Sequence, residues 1–262
     1  MGRLFPSSAL LQAIKLAGAA DVISLQEVSR EALTAMLEES WIRQDWYTSD
    51  ADTYAFANQK FISITLMSKL WVAKENILLG AIWRIPLPSR FGRDALCCDV
   101  VLNSSTKQTG RQPLRIRLIN VHLDSLPINP SLRPQQLSIS ASYLSAAGRG
   151  IIAGDFNPVL PEDADLVRAI GLTDAWTHLH PDDPGHTWGV YGEHSFPPNR
   201  LDKVALFNLT TSSMGILQTR ELEFCGEQTA IDGMRSGSRA HFSDHFGLWC
   251  DVGWAEDRPL SE

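Results

Sequence analysis

The sequence predicts an α+β domain in which two mixed sheets pack face to face with helices outside. Three observations predict it. Strand and helix signals alternate along the whole chain, most strand segments are short and antiparallel-looking, and the helices are few. The 262 residues suffice for one large core, and no repeat, low-complexity tract or Gly/Ser linker marks a boundary, so residues 1–262 are read as a single domain. An apolar fraction of 44% and a charged fraction of 20% are those of an ordinary globular chain.

A helix is expected from Ser7 to Leu16, and a short apolar strand from Asp21 to Leu25. Ser29 to Glu39 reads as a helix with Ser29 as its cap. Phe61–Met67 and Ile77–Trp83 read as strands, and Ala95–Leu102 with Leu114–Val121 as a hairpin around a polar turn. Pro134 suits the first turn of a helix running to Ala147. Gly150–Ala153, Leu201–Phe207, roughly Ser212–Gln218, and Phe246–Val252 complete the strands. Three long polar loops, Asp124–Arg133, Pro181–Asn199 and Asp232–Ser243, follow strands; loops of such length in a compact domain are usually functional or mobile.

Several classes are disfavoured. A net charge of −7 opposes bulk electrostatic coating of nucleic acid, although local phosphate recognition stays open. The four cysteines form no C-x-x-C pair, which supports neither a disulfide framework nor a zinc site. There is no run of 18 apolar residues and no signal-like leader, so an intracellular location is expected.

Five short motifs carry chemistry. Leu25-Gln26-Glu27-Val28 places Glu27 at a strand end, where a carboxylate is costly unless paired or metal-bound; an exposed strand-end glutamate is the simpler alternative. Val121-His122-Leu123-Asp124-Ser125 lets a histidine emerge from a strand, and a structural histidine fits equally. Ile152-Ala153-Gly154-Asp155-Phe156-Asn157 turns sharply at Gly154 and can face Asp155 and Asn157 into one space, one to take a proton from water and one to orient it. An Asx-turn closing the strand is the alternative. Asn199-Arg200-Leu201-Asp202-Lys203 offers Asp202 to orient a histidine, or forms a solvated strand. Ser243-Asp244-His245 sits at the mouth of the last strand, where an imidazole can donate to a phosphate oxygen or protonate a leaving group; a turn with a structural histidine is the alternative.

In this order, L-Q-E, N-x-H-x-x-S, G-D-x-N, R-x-D and S-D-H resemble the endonuclease/exonuclease/phosphatase superfamily from about Asp21 to Val252. The branch most similar is the tyrosyl-DNA phosphodiesterase 2 family, through Pro88-Ser89-Arg90-Phe91-Gly92-Arg93, His122-Leu123-Asp124-Ser125 with Arg133 and Gln136-Leu137, and His186-Thr187-Trp188. The resemblance implies a DNase I-like four-layer sandwich and a Mg²⁺- or Mn²⁺-dependent phosphodiesterase. By the same resemblance, Glu27 and Asp244 bind or adjoin the metal, and Asp155 and Asn157 activate and place water. Asp202 orients His245 at the phosphate, and His122 and Ser125 add phosphate contacts. Arg93, Arg133 and Trp188 are expected to bind substrate.

A DNA end is the implied partner, with nuclear residence and a monomer expected. Other superfamily chemistries (sphingomyelinase, inositol phosphatase, abasic endonuclease) and a catalytically dead binding module stay open. The family's first strand ends in asparagine. Met1–Pro6 contains none, so the chain is expected to lack that strand, to be N-terminally truncated relative to the family, and to have weak or no activity.

Overall fold

In the computed structural model of the chain, the described residues are 11, 14–15, 17, 19–102, 113–192, 196–218, 221–223, 239–241 and 243–254. The expectation concerning Met1–Pro6 lies outside them, as do the turn of the Leu102–Leu114 hairpin and most of the Asp232–Ser243 loop. Of the first expected helix, Leu11, Ile14 and Lys15 are helical.

Thirteen strands are formed by the described residues. They are β1 (Val22–Ser29), β2 (Trp46–Thr48), β3 (Phe61–Ser68), β4 (Ile77–Pro86), β5 (Asp94–Leu102), β6 (Leu114–His122), β7 (Gly150–Asp155), β8 (Thr173–Asp174), β9 (Asp202–Phe207), β10 (Thr210–Leu217), β11 (Glu221–Glu223), β12 (Arg239–His241) and β13 (Gly247–Gly253). The main sheet has six strands in the order β4-β5-β6-β7-β9-β8. Only its β6–β7 pair is parallel. The helix Arg133–Ala147 makes that crossover, which a parallel pair requires. The second layer comprises the sheet β1-β3-β2 and the ribbon β10-β13. Among the described residues, strands β11 and β12 pair only with each other.

Strand alternation sorts the cores. In β5, Ala95 and Cys97 join a cluster with Leu137 and Leu144 of the helix Arg133–Ala147. Leu96, Cys98 and Val100 join the cluster on the opposite face, with Met67 and Met214. In β3, Ile62, Ile64 and Leu66 pack outward with Leu33 and Met36 of the helix Arg30–Glu38. The order is therefore helix, sheet, sheet, helix, a four-layer sandwich as the sequence implies. Each buried aliphatic side chain contributes about 1.5–3 kcal/mol.

The helix boundaries follow local chemistry. Ser29 Oγ accepts from Ala32 N at 3.2 Å and caps Arg30–Glu38. Gly148, at φ +85°, ends Arg133–Ala147 in the left-handed conformation.

Between the sheets the contact is partly polar. Asn120 of β6 donates Nδ2 to Leu25 O (3.2 Å) and Ile64 O (3.0 Å), and its Oδ1 accepts from Gln26 Nε2 at 2.7 Å. One buried amide thus ties β1 and β3 to the main sheet. The pair Arg117–Asp99, with Nε–Oδ1 at 2.7 Å and Nη2–Oδ2 at 2.8 Å, fixes β5 to β6.

Candidate active site

Register alone collects three site residues. His122 pairs with Asp155 across β6–β7, and Asp155 pairs with Asp202 across β7–β9. Three polar side chains therefore stand in a row at one end of adjacent strands, about 4.8 Å apart in the pairing direction. The row opens into a cleft of about 2290 Å³ that Glu27, Ser125, Asn157, Trp188, Asp244 and His245 also line.

Gly154 allows this row to form. Its φ is +134°, and a Cβ there would lie 2.0 Å from Val121 O. Only glycine fits the close approach of β7 to β6. Asp155 follows, buried, and its carboxylate accepts from Asn157 N (2.9 Å) and Asn157 Nδ2 (2.8 Å). Asn157 has φ +46°, and its amide also donates to Leu123 O at 3.2 Å. Glu27, at φ +53°, sits where the β1–β3 register shifts between Leu25 and Val28. Two of the non-glycine residues held in the left-handed region are thus site residues, and such strain persists only where the surroundings hold it.

His245 stands opposite. Its Nδ1 lies 2.8 Å from Asp202 Oδ2. The segment Thr187-Trp188 assembles this pair. Thr187 Oγ1 accepts from Leu201 N and Asp202 N, both at 3.1 Å. Phe246 N donates to Thr187 O at 2.7 Å, and Trp188 bridges both Asn199 and His245. The sequence assigns Thr187 no role of its own, although it lies within the His186-Thr187-Trp188 segment. Trp188 Nε1 reaches Asp244 Oδ2 at 3.3 Å.

Charge is shared unevenly. Burial raises the Asp155 carboxyl to about 7, and the Asp202 charge adds to the rise. Burial pulls the His245 imidazole down, but the hydrogen bond and charge of Asp202, with Asp155 and Asp244, outweigh it and raise the group to about 10. His245 is therefore an imidazolium at neutral pH. His122 is driven the other way by burial and by the Arg93 and His245 charges. Its Nε2 lies 3.0 Å from Arg93 Nη2 and 3.3 Å from Asp155 Oδ2. An arginine can only donate, so His122 is neutral and Nε2 accepts. The Asp155–His122 contact is then not an ion pair.

Arg93 reaches into the same space. Its Nη2 donates to Ser125 Oγ at 2.9 Å, and its buried Nε has no hydrogen-bond partner. Burial lowers its pKa, against the raising charges of Glu27 and Asp155.

One expectation changes. Arg133 is 1% exposed and does not face the cleft. Its guanidinium bonds Asp163 Oδ2 at 2.8 Å, Asp124 O at 2.7 Å, and Leu126 O. It holds the loop after β6 instead of a substrate, because every direction its fork can point ends on the chain's own oxygens. Asp244 is exposed beside Trp188. Among the described residues, no three His, Cys, Asp or Glu side chains gather closely enough to hold a metal ion by themselves, so Glu27 and Asp244 form no such cage. Arg200, in the R-x-D motif, pairs with Asp174, its Nη1 shared between Oδ1 at 2.8 Å and Oδ2 at 2.9 Å.

The donor chemistry nevertheless suits a hard cation. The Glu27 side chain is 57% exposed, with Oε1 4.0 Å from His122 Nε2. Mg²⁺ needs only one or two carboxylates, because it keeps several waters and takes phosphate oxygens.

Solved structures share this architecture. A TDP2 of D. rerio humanized by 14 mutations superposes with a TM-score of 0.67 at 19% identity, over 94% of this chain and 90% of that one. The fold is that of the endonuclease/exonuclease/phosphatase proteins. A truncated Caenorhabditis elegans TDP2 gives 0.66 at 16% identity, over 95% and 90% of the two chains. An endonuclease/exonuclease/phosphatase family protein from Leptotrichia buccalis gives 0.62 at 14%, over 95% and 93%. No protein-family pattern and no curated sequence matches the chain. Within this endonuclease/exonuclease/phosphatase fold, β6, β7, β9 and the approach to β13 carry the row described above. No helix among the described residues is long and apolar enough to cross a membrane.

Proposed function

We propose that the chain is a divalent-cation-dependent phosphodiesterase whose substrate is a DNA end, with a 5′-phosphotyrosyl linkage as the preferred bond. One observation carries the reading. A buried carboxylate fixed by Asn157 stands across one strand pair from the aspartate that holds a cationic His245. A base and a cation lining one cleft suit in-line attack of water at phosphorus.

Asp155 takes the proton from the attacking water. Asn157 holds that carboxylate in place through its amide. His245 donates to a phosphate oxygen and neutralises the charge that develops there, with Asp202 fixing its ring. Arg93 and Ser125 contact the same phosphate, and neutral His122 packs against Arg93. Glu27 would hold Mg²⁺ or Mn²⁺, which supplies charge neutralisation at the non-bridging and leaving oxygens. A tyrosine phenolate, with a pKa of about 10, leaves far more readily than an alkoxide. Trp188, at the cleft, offers a face on which an unpaired base can stack. Repair of such ends would place the protein in the nucleus.

The test is a substrate panel with and without EDTA: 5′-phosphotyrosyl oligonucleotide, abasic duplex, inositol polyphosphate and sphingomyelin. Turnover of the first, abolished by EDTA and by Asp155→Ala, is expected. Turnover of another member alone reassigns the substrate. Cleavage of no member at any Mg²⁺ concentration overturns the reading.

A further inference from the structure

Arg93 is a cation delivered by a loop, and something must hold that loop. The segment 87–93 joins β4 to β5 and closes on itself through Leu87 N to Arg93 O at 3.1 Å. Its central clasp is Ser89. The Ser89 hydroxyl accepts from Phe91 N (2.9 Å) and Arg93 N (3.0 Å), so its own proton must go elsewhere. It goes to Asp124 Oδ1 at 2.5 Å.

Asp124 is 2% exposed and lies two residues beyond His122. Its Oδ2 accepts from Arg90 N at 3.1 Å, and its Oδ1 also accepts from Gln136 Nε2 at 2.8 Å. Gln136, on the helix Arg133–Ala147, completes the frame by donating to Pro88 O at 2.9 Å and accepting from Asp124 N at 3.0 Å. A single buried carboxylate therefore takes hydrogen bonds from the loop that carries Arg93 and from the helix behind it. The loop bearing Ser125 starts from the same residue. Gln59 Nε2 donates to Gly92 O and is the loop's contact with the other layer.

We infer that Asp124 is a positioning residue for Arg93, acting through Ser89 to aim the guanidinium at Ser125, His122 and the bound phosphate. The inference rests on the phosphodiester reading of the site and adds a residue to it. Buried Asp124 does not touch the reacting atoms. A carboxylate is needed because it accepts from Ser89, Arg90 and Gln136 at once. The amide of Asn has a single oxygen and cannot replace it.

The experiment is a double-mutant cycle on the full chain, with Asp124→Asn, Arg93→Ala and the combination. Ser89→Ala, which removes only the hydroxyl, serves as a second route. The readouts are kcat/KM on the 5′-phosphotyrosyl oligonucleotide and the affinity for inorganic phosphate by calorimetry. We expect Asp124→Asn and Ser89→Ala each to lower kcat/KM about 10-fold or more, and to change it less than about twofold once Arg93 is alanine. Phosphate affinity follows the same pattern. A general loss of folding would instead lower both backgrounds equally, and an equal factor in both overturns the inference. So does an unchanged kcat/KM in both single variants. If the wild type binds phosphate but cleaves nothing, the proposed activity fails and the phosphate cycle alone decides the role of Asp124. Wild-type protein that does neither overturns both.

Discussion

Asp202 stands directly opposite Asp155 in the β7–β9 ladder, and its carboxylate accepts from His245 Nδ1 at 2.8 Å. One aspartate thus does two things. It raises its neighbour's proton affinity, and it keeps the histidine charged.

Replacing Asp202 by Asn removes the charge that holds His245 as an imidazolium. The His245 pKa should fall from about 10 towards the ordinary 6.5, read by proton NMR titration of the ring. Turnover should drop by roughly 10²–10⁴-fold, the usual contribution of a positioned proton donor. An unchanged titration would remove Asp202 from the role.

Asp155 makes stability depend on pH. Its folded pKa of about 7 lies above the ordinary 3.8, so between those values the native state binds more protons than the unfolded one. Native stability from this group therefore falls as pH rises through the window. Asp155→Asn has no such group. Measured in EDTA, its melting temperature relative to wild type should climb between pH 5 and pH 8.5, by at least about 2 °C. The same variant should lose turnover. A pH-independent difference would show that the carboxyl is not perturbed.

Gly154→Ala tests the row itself. A Cβ would press on Val121 O from 2.0 Å in a backbone conformation that alanine avoids. We expect a loss of more than about 3 kcal/mol, or no soluble protein. A variant that melts like wild type would show that β7 can retreat from β6.

Asp99→Ala leaves the Arg117 guanidinium, 7% exposed, without its carboxylate, although Tyr143 O still accepts from Nη1 at 2.7 Å and Trp83 lies beneath it. Chemical denaturation should show a loss of about 3–5 kcal/mol. Replacing both residues with apolar ones of similar volume should recover much of it.

The strands were legible because their apolar residues alternate or run unbroken. Phe61–Met67 and Gly150–Ala153 fall inside the observed β3 and β7. Short elements were not. The helices Ser40–Asp45 and Lys69–Lys74 and the strand Thr173–Asp174 are too brief for periodicity to register. In the site, His122, Asp155, Asn157, Asp202 and His245 were readable as motifs, since each lies at a strand end or a turn; Glu27, expected at a strand end, instead lies inside β1 at its bulge. Sequence alone could not separate Arg93 from Arg133. Both are arginines near loops, and only packing shows one reaching Ser125 and the other enclosed by Asp163 and main-chain oxygens. Asp124 was quoted inside a motif, but its three acceptor bonds come from residues 12 to 35 positions away.

Glu27 belongs to one sheet and Asp155 to the other, and Asn120 fastens the two together. Neither layer holds both groups by itself. Under the proposed phosphodiesterase reading, a half-unravelled chain would carry the carboxylate for the cation and the carboxylate for the water without bringing them to one place. Packing of the two sheets would then be a condition of turnover as well as of stability.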